Sequence, residues 1–346
     1  MDSHTGDVVK VLVTGAPGWL GNRFLECMFD TKEHGWFRLP DKQFRLLVLP
    51  KAPKESLTPF LGKIDVVEGD VTRSETLDAA VRGVDCVIHI AGLIHPKKIS
   101  ELYALNTDGT RNLLNASVKA GVHKFVYVSS NSAGGIQVSR EKLMTETDPS
   151  HPYLHYGLSK WLAENLVNEA YRSKKLETVI LRPCWYYGSG QPERQTRFFR
   201  MIKKGKPILF GDGKNLRSMT YLDNLCQALA LAVTIPRANG QTYWIADEKP
   251  YTTIEIYQTI ARLLNVRDFK PMSVPSPVSE CCLLADRLLQ SCGMYISEIH
   301  VAGEMNKNIA CSIEKAQREL GYKPTVALEE GMRRSIEWCR ARGIEL

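Results

Sequence analysis

The sequence predicts an α/β protein, a doubly wound parallel sheet with a smaller C-terminal lobe. In the first half, short apolar runs of strand length alternate with segments of helical period. A glycine-rich turn stands between the first apolar run and the first helical segment, and after about residue 183 the alternation stops. Strands that are apolar throughout need cover on both faces, and helical crossovers supply it.

Taken in order, Val8 to Thr14 reads as the first strand and Trp19 to Phe29 as the helix after it. Phe44 to Leu49 is a second strand and Ile64 to Glu68 a third; Thr72 then caps a helix to about Arg82. Cys86 to Ile90 is strand four, Ile99 to Ala120 one long helix, and Lys124 to Ser129 strand five. A helix over Tyr156 to Arg172 leads to strand six at Thr178 to Leu181. Beyond it, Gly188 to Pro192 and Gly211-Asp212-Gly213 are turn clusters. Thr252 with Glu255 forms a capping box for a helix to Leu264. Pro271, Pro275 and Pro277 mark a connection, Leu320-Gly321 ends a short helix, and Leu328 to Arg342 is the last. The expected division is residues 1–183 and 184–346, the second unit sharing strands with the first.

The 346 residues suffice for two such units. With 44% hydrophobic and 24% charged residues, the chain is neither disordered nor fibrous. No apolar run reaches the ~20 residues of a membrane span. Asp2, His4 and Asp7 at the start, with no apolar stretch after a basic one, give no secretory signal. Nine cysteines without C-x-x-C pairing read as reduced thiols of a cytoplasmic protein, and no metal site is expected. The net charge of +7 is no nucleic-acid signature; it suits an anionic ligand or an ordinary solvated surface.

Thr14 to Gly21, including Gly15, Gly18, Trp19, Leu20 and Gly21, links the first strand to the first helix. A phosphate there needs backbone N–H donors, a helix N-terminus and no Cβ in the way. The spacing is G-x-x-G-x-x-G, and its place after the first strand favours a dinucleotide over a plain turn. The second strand ends Leu49-Pro50-Lys51, with Lys54 beyond and no carboxylate to bind a ribose diol. This leans toward NADP, with ordinary loop lysines as the alternative. Asp70-Val71 after strand three offers an acceptor to an adenine amino group, or caps a helical turn. Ala91-Gly92 after strand four lets backbone pass close to a cofactor.

Tyr156 and Lys160 stand at i and i+4 on one helical face. A phenol of pKa ~10 is a poor base, but a neighbouring ammonium and a cationic nicotinamide both favour phenolate. Tyr156 then moves a proton to or from an alcohol as hydride passes to or from the nicotinamide. Ser129-Ser130-Asn131-Ser132 follows strand five, where a hydroxyl can bind the substrate oxygen.

With these pieces the sequence resembles the extended short-chain dehydrogenase/reductase family, the NAD(P)-dependent epimerase/dehydratases. Further matching segments are His89 to Gly92, Asn106 to Thr110, Val126 to Ser130, Leu181 to Pro183, Tyr221 to Asn224 and Glu319 to Gly321. The resemblance spans nearly the whole chain. It implies a Rossmann-like domain, with Tyr156 as acid/base and Lys160 on the nicotinamide ribose. It also implies Ser130 on the reacting oxygen, with Asn131 beside it, and Pro183 against the nicotinamide. A homodimer through the two long helices is expected of such a family.

Gly211-Asp212-Gly213, Arg217 and Tyr221 resemble nucleotide-sugar enzymes of this family, in which an arginine here grips the diphosphate. The second arginine of that pattern is missing from Val301 to Asn308. Gly211 to Leu216 and Ala310 to Pro324 also resemble 3β-hydroxysteroid dehydrogenases, for which Arg217 is expected to be an ion-pair residue. Val278 to Met294, rich in Leu and Cys, is either part of a lobe closing over an apolar ligand or a packed amphipathic helix. Asn131-Ser132 replaces the Asp-Glu of dehydratases. The expectation is hydride transfer at a secondary alcohol or ketone. A nucleotide sugar is the first choice of substrate and a sterol the second; a non-catalytic dinucleotide-binding protein is a third reading.

Overall fold

The computed structural model describes residues 9–29, 39, 42–137 and 140–346. Val8 and the Asp2, His4 and Asp7 of the chain start lie outside the described residues. The first half runs β1 (Val9–Thr14), α1 (Trp19–Phe29), β2 (Lys42–Val48), β3 (Ile64–Glu68), α2 (Leu77–Val81) and β4 (Cys86–His89). It continues through α3 (Ser100–Leu102), a π-helical segment (Tyr103–Gly109), α4 (Thr110–Lys119), β5 (Lys124–Val128), α5 (Asn131–Gly134), α6 (Leu154–Arg172) and β6 (Glu177–Pro183). The second half adds β7 (Trp185–Tyr187), α7 (Glu193–Lys203), β8 (Ile208–Phe210), β9 (Leu216–Arg217), β10 (Met219–Tyr221), α8 (Leu222–Thr234) and β11 (Gln241–Ile245). It closes with β12 (Tyr251–Thr252), α9 (Thr253–Leu263), β13 (Met272–Val274), α10 (Ser276–Ser291), α11 (Ser297–Glu304), α12 (Glu314–Leu320) and α13 (Leu328–Ala341).

The continuous apolar runs form a parallel sheet of seven strands in the order β3-β2-β1-β4-β5-β6-β11. This is the doubly wound, Rossmann-like α/β fold that the sequence predicts. Val11, Leu12 and Val13 are all fully buried because helices cover both faces. Val11 and Val13 join a core with Phe24 and Leu25 of α1 and Leu225 and Leu229 of α8. Leu12 joins another with Leu113 of α4 and Ala163 and Val167 of α6. Strand order reverses between β1 and β4, which opens the crevice at their carboxyl ends where ligands of such folds bind.

The seventh strand comes from the second half of the chain. A third core, from Phe199 and Ile202 of α7, Ile256 and Ile260 of α9, and Met332 and Ile336 of α13, fills the lobe. Tyr221 to Asn224 clasps lobe to sheet. Asp223 takes both Nε and Nη2 of Arg23 from α1 at 2.6 and 2.8 Å. Asn224 donates to the buried Asp247, which also accepts from the Tyr187 hydroxyl and the Tyr221 N–H. Burial pushes the Asp247 carboxyl up to about 7.

Two elements differ from the sequence expectations, and for a third the structure selects between two alternatives. The helix expected over Ile99 to Ala120 is interrupted by the π-helical Tyr103–Gly109. There Asn106 and Thr107 turn inward to bond Ser159 of α6, and a Cβ on Gly109 would meet Val71 at 2.9 Å. Thr72 does not cap a helix: it donates to Asp70 Oδ1, and a 3₁₀ turn at Ser74–Thr76 delays α2 to Leu77. The Leu- and Cys-rich stretch is helix α10, with Leu283 buried but Leu284 and Leu288 about 60% exposed.

His89 ties the sheet to the helical layer. Its Nδ1 lies 2.7 Å from Thr14 Oγ1 and its Nε2 3.0 Å from Thr110 Oγ1. The Thr110 hydroxyl donates to the Asn106 carbonyl, so it accepts from Nε2–H and leaves Nδ1 to accept from Thr14. Burial, aided by the nearby Lys160, pushes the imidazole down to about 3. The unfolded chain therefore binds a proton that the folded one refuses between the ordinary histidine pKa of ~6.5 and about 3. This contribution to stability is complete above that window. It should fall by up to about 1.4 kcal/mol per pH unit as pH drops through it. Urea unfolding of the wild type and His89→Gln at pH 7 and pH 5 should show the shallower acid loss in the variant.

Candidate active site

The glycine turn has the shape its spacing implies. Gly15 sits at φ +86°, in the left-handed region, and a Cβ there would lie 2.7 Å from the Ala91 amide. Cβ atoms on Gly18 and Gly21 would come within 2.6 and 2.7 Å of the Gly15 carbonyl. The turn is thus drawn in against the end of β4, with the N-terminus of α1 behind it. Ala91 N–H donates to Thr14 Oγ1, and Gly92 leaves room for Asn106 and Lys160. The side chains of Trp19 and Leu20 are committed elsewhere. Trp19 Nε1 donates to the Ser189 carbonyl at 2.8 Å, and Leu20 is core. These two positions offer only backbone to a ligand. The cradle fits a dinucleotide diphosphate: close backbone, a helix N-terminus and no side chain in the way.

Around the adenosine end, Lys51 is exposed in the turn after β2, while Lys54 is paired with Glu68. Of the two lysines, Lys51 alone has no partner among the described residues. Asp70 Oδ1 accepts from Thr72 N–H and Oγ1, the turn-capping alternative, and Val71 packs into the core beneath α4.

Ser130, Asn131, Tyr156, Lys160, Gly92 and Pro183 all line one cavity of about 640 Å³. Ser130 caps α5, its Oγ accepting from the Ser132 N–H at 3.2 Å. Lys160 is buried; its Nζ donates to the Val128 carbonyl at 2.7 Å and lies 4.3 Å over the Tyr127 ring. The electrostatics differ from the expectation. Burial pushes Lys160 down to about 7, opposed by Glu164 one turn further along α6. Burial also raises the Tyr156 phenol well above its usual range, and the Ser130 hydroxyl and Arg194 pull it back. Within the protein, Ser130 and Arg194 thus favour the phenolate.

Arg217 also lines this cavity, nearly buried, but its guanidinium is in use. Nη1 meets Glu304 Oε1 at 3.2 Å and Nη2 the Glu304 carbonyl at 2.6 Å, bridging β9 and α11. Its Nε is buried without a hydrogen-bond partner among the described residues. Much of the remaining wall is apolar: Trp185, Phe198, Met201, Phe210 and Met305. Arg194 and Arg197 of α7 stand exposed on the cavity lining with no ion pair among the described residues.

Sequence reasoning missed Glu164, which extends the Tyr156–Lys160 spacing by another four residues, and missed Arg194. It also missed His300, which lines the cavity with Nδ1 2.8 Å from the buried Asp286. The i+4 continuation was available as a signal for Glu164. None was available for His300, because α11 meets the site only through tertiary packing.

Comparison with known proteins adds four likenesses. The model of the 3-beta hydroxysteroid dehydrogenase/isomerase family matches residues 12–276. The chain is 41% identical over 343 residues to the uncharacterized protein y4nL of Sinorhizobium fredii (strain NBRC 101917 / NGR234), covering 96% of each. It is 28% identical over 349 residues to the 3 beta-hydroxysteroid dehydrogenase/Delta 5-->4-isomerase of Mycobacterium tuberculosis (strain CDC 1551 / Oshkosh), covering 95% of this chain and 90% of that one. The crystal structure of DesIV, the dTDP-glucose 4,6-dehydratase of Streptomyces venezuelae with NAD bound, superposes with a TM-score of 0.78 at 25% identity. That match covers 97% of this chain and 98% of the other.

Replacing Gly15 by Ala forces a Cβ against the Ala91 backbone at a left-handed φ. The expected result is a loss of more than about 1 kcal/mol of stability, with NADH affinity reduced at least tenfold. Thermal melts and calorimetric titration check both.

Proposed function

This chain belongs to the 3-beta hydroxysteroid dehydrogenase/isomerase family, and we propose that it oxidises a secondary alcohol, or reduces the ketone, on a bulky and largely apolar substrate of the 3β-hydroxysteroid kind. It is an NAD(P)-dependent enzyme of the extended short-chain dehydrogenase/reductase type. One observation carries the choice of substrate. Arg217, the residue a diphosphate would need, is already held by Glu304, as expected for a sterol enzyme. The order of preference drawn from Gly211 to Asn224 is thereby reversed. A nucleotide sugar stays as the second reading because Arg194 and Arg197, exposed and unpaired among the described residues, can meet an anion at the same cavity.

Gly15, Gly18 and Gly21, with the N–H groups of Trp19 and Leu20, would hold the dinucleotide diphosphate. Asp70 and Val71 would border its adenine, Ala91 and Gly92 would lie along it, and Pro183 would stand by its nicotinamide. When bound, the nicotinamide accepts or supplies the hydride. The protein's residues handle the proton. Ser130 orients the reacting oxygen, and the Tyr156 hydroxyl takes its proton in oxidation or returns it in reduction. Lys160, anchored on Val128, is placed for the nicotinamide ribose, and the preference for NADP rests on Lys51. Asn131, whose Oδ1 lies 3.4 Å from Ser130 Oγ, borders the substrate oxygen.

Tyr156→Phe should leave NAD(H) binding nearly intact and lower turnover ~100-fold or more, the scale of losing a positioned acid/base. The panel for the assay is a set of 3β-hydroxysteroids beside UDP-, GDP- and dTDP-sugars. Saturable sterol oxidation is expected, without sugar-nucleotide binding at millimolar concentration; tight sugar-nucleotide binding without sterol oxidation would favour the second reading.

α4 and α6 pack side by side on one face of the sheet, and we propose a two-fold homodimer through them. Light scattering at micromolar concentration should give about twice the 38.9 kDa of one chain; a single-chain mass rules the dimer out.

A further inference from the structure

The cavity holds a second polar device, away from Ser130 and Tyr156. His300 of α11 is 8% exposed and Asp286 of α10 fully buried. Asp286 Oδ2 lies 2.8 Å from His300 Nδ1, and its Oδ1 accepts from Gln290 Nε2 at 2.9 Å. The Gln290 side-chain oxygen in turn accepts the His155 N–H at 3.3 Å, at the start of the helix that carries Tyr156. The imidazole ring is flanked by the rings of Tyr153 and Tyr295, at 5.6 and 5.4 Å. The lobe thus docks a fixed carboxylate–imidazole pair on the first turn of α6.

The hydrogen bonding sets the tautomer. The Asp286 carboxylate oxygen is the acceptor of this contact, so Nδ1 carries a proton toward it. Nε2, on the other edge of the ring, is then the nitrogen left for a ligand, and it has no partner among the described residues. Dedicating a buried carboxylate to one tautomer of a cavity-lining histidine is how proteins aim the second nitrogen at a ligand. We infer that His300 is a specificity-determining substrate contact: Nε2 hydrogen-bonds a hydroxyl of the substrate other than the one that reacts. Asp286 is its positioning residue. The inference rests on the reading that this cavity receives the substrate of Tyr156, and it applies equally to a hydroxylated sterol or a sugar.

The test uses the tautomer. His300→Asn keeps a donor near the Nδ1 position for Asp286 and removes Nε2. His300→Gln restores a polar group near Nε2 and loses the bond to Asp286. Probes are 5α-androstan-3β-ol and a series of diols carrying a second hydroxyl at carbon 4, 7, 11 or 17. For at least one diol, His300→Asn should raise KM about tenfold with kcat within twofold. His300→Gln should recover part of this, and KM for the mono-ol should not move. Equal KM values in wild type and His300→Asn for every diol oxidised would overturn the assignment. Failure of the wild type to oxidise any of these steroids removes the sterol reading instead. His300 is then judged by the ¹⁵N resonance of its Nε2 while UDP-glucose is titrated into the NADH complex. A resonance that moves on binding supports the contact, and one that stays fixed while UDP-glucose binds overturns it. Melting temperatures of both variants confirm that the fold is kept.

Discussion

The reacting end of the molecule hangs on one buried ion pair. Arg182 of β6 meets Glu164 of α6 with two hydrogen bonds, Nε to Oε1 at 2.9 Å and Nη2 to Oε2 at 2.6 Å, and both side chains are almost wholly out of water. The same guanidinium lies over the Trp244 ring of β11 and donates to Ser150. It therefore locks α6 to the sheet and the last strand to both. Glu164 is eight residues beyond Tyr156 and four beyond Lys160, on the same helical face, so fixing it sets the rotation of the helix. Losing either partner would strand the other's charge in the interior, a cost of roughly 3–5 kcal/mol.

That pair also explains the electrostatics of Lys160. An amine this deep loses charge through desolvation, and Glu164 is the one group that counters it. Burial outweighs Glu164, and Lys160 sits near 7.

On the lobe side the decisive feature is a cation spent on structure. Arg217, Glu304, Asp286 and His300 come from β9, α10 and α11, three elements with no sequence rhythm in common. Their pairing turns the roof of the cavity into a folded polar layer with apolar walls below. Tyr221 to Asn224, which resembles a family signature, is a clasp: Asp223 on Arg23 and Asn224 on Asp247 hold the lobe against the sheet. Its position in the fold accounts for the residues without any contact to substrate.

The sequence alone determined the order of the strands and helices in the first half, because unbroken apolar runs need a sheet covered twice. It also determined where the glycine turn lies, since Gly15, Gly18 and Gly21 stand between the first strand and the first helix, and the Tyr156–Lys160 face, since i and i+4 coincide on any helix. Local spacing carries such facts. It does not carry the π-helical turn at Tyr103–Gly109, whose cause is the inward reach of Asn106 and Thr107 to Ser159, a residue some 50 positions away. Nor could it carry the fate of Arg217. Whether a guanidinium meets a substrate or a Glu304 carboxylate 87 residues later depends on how the lobe folds back, and only tertiary packing settles which partner is closer.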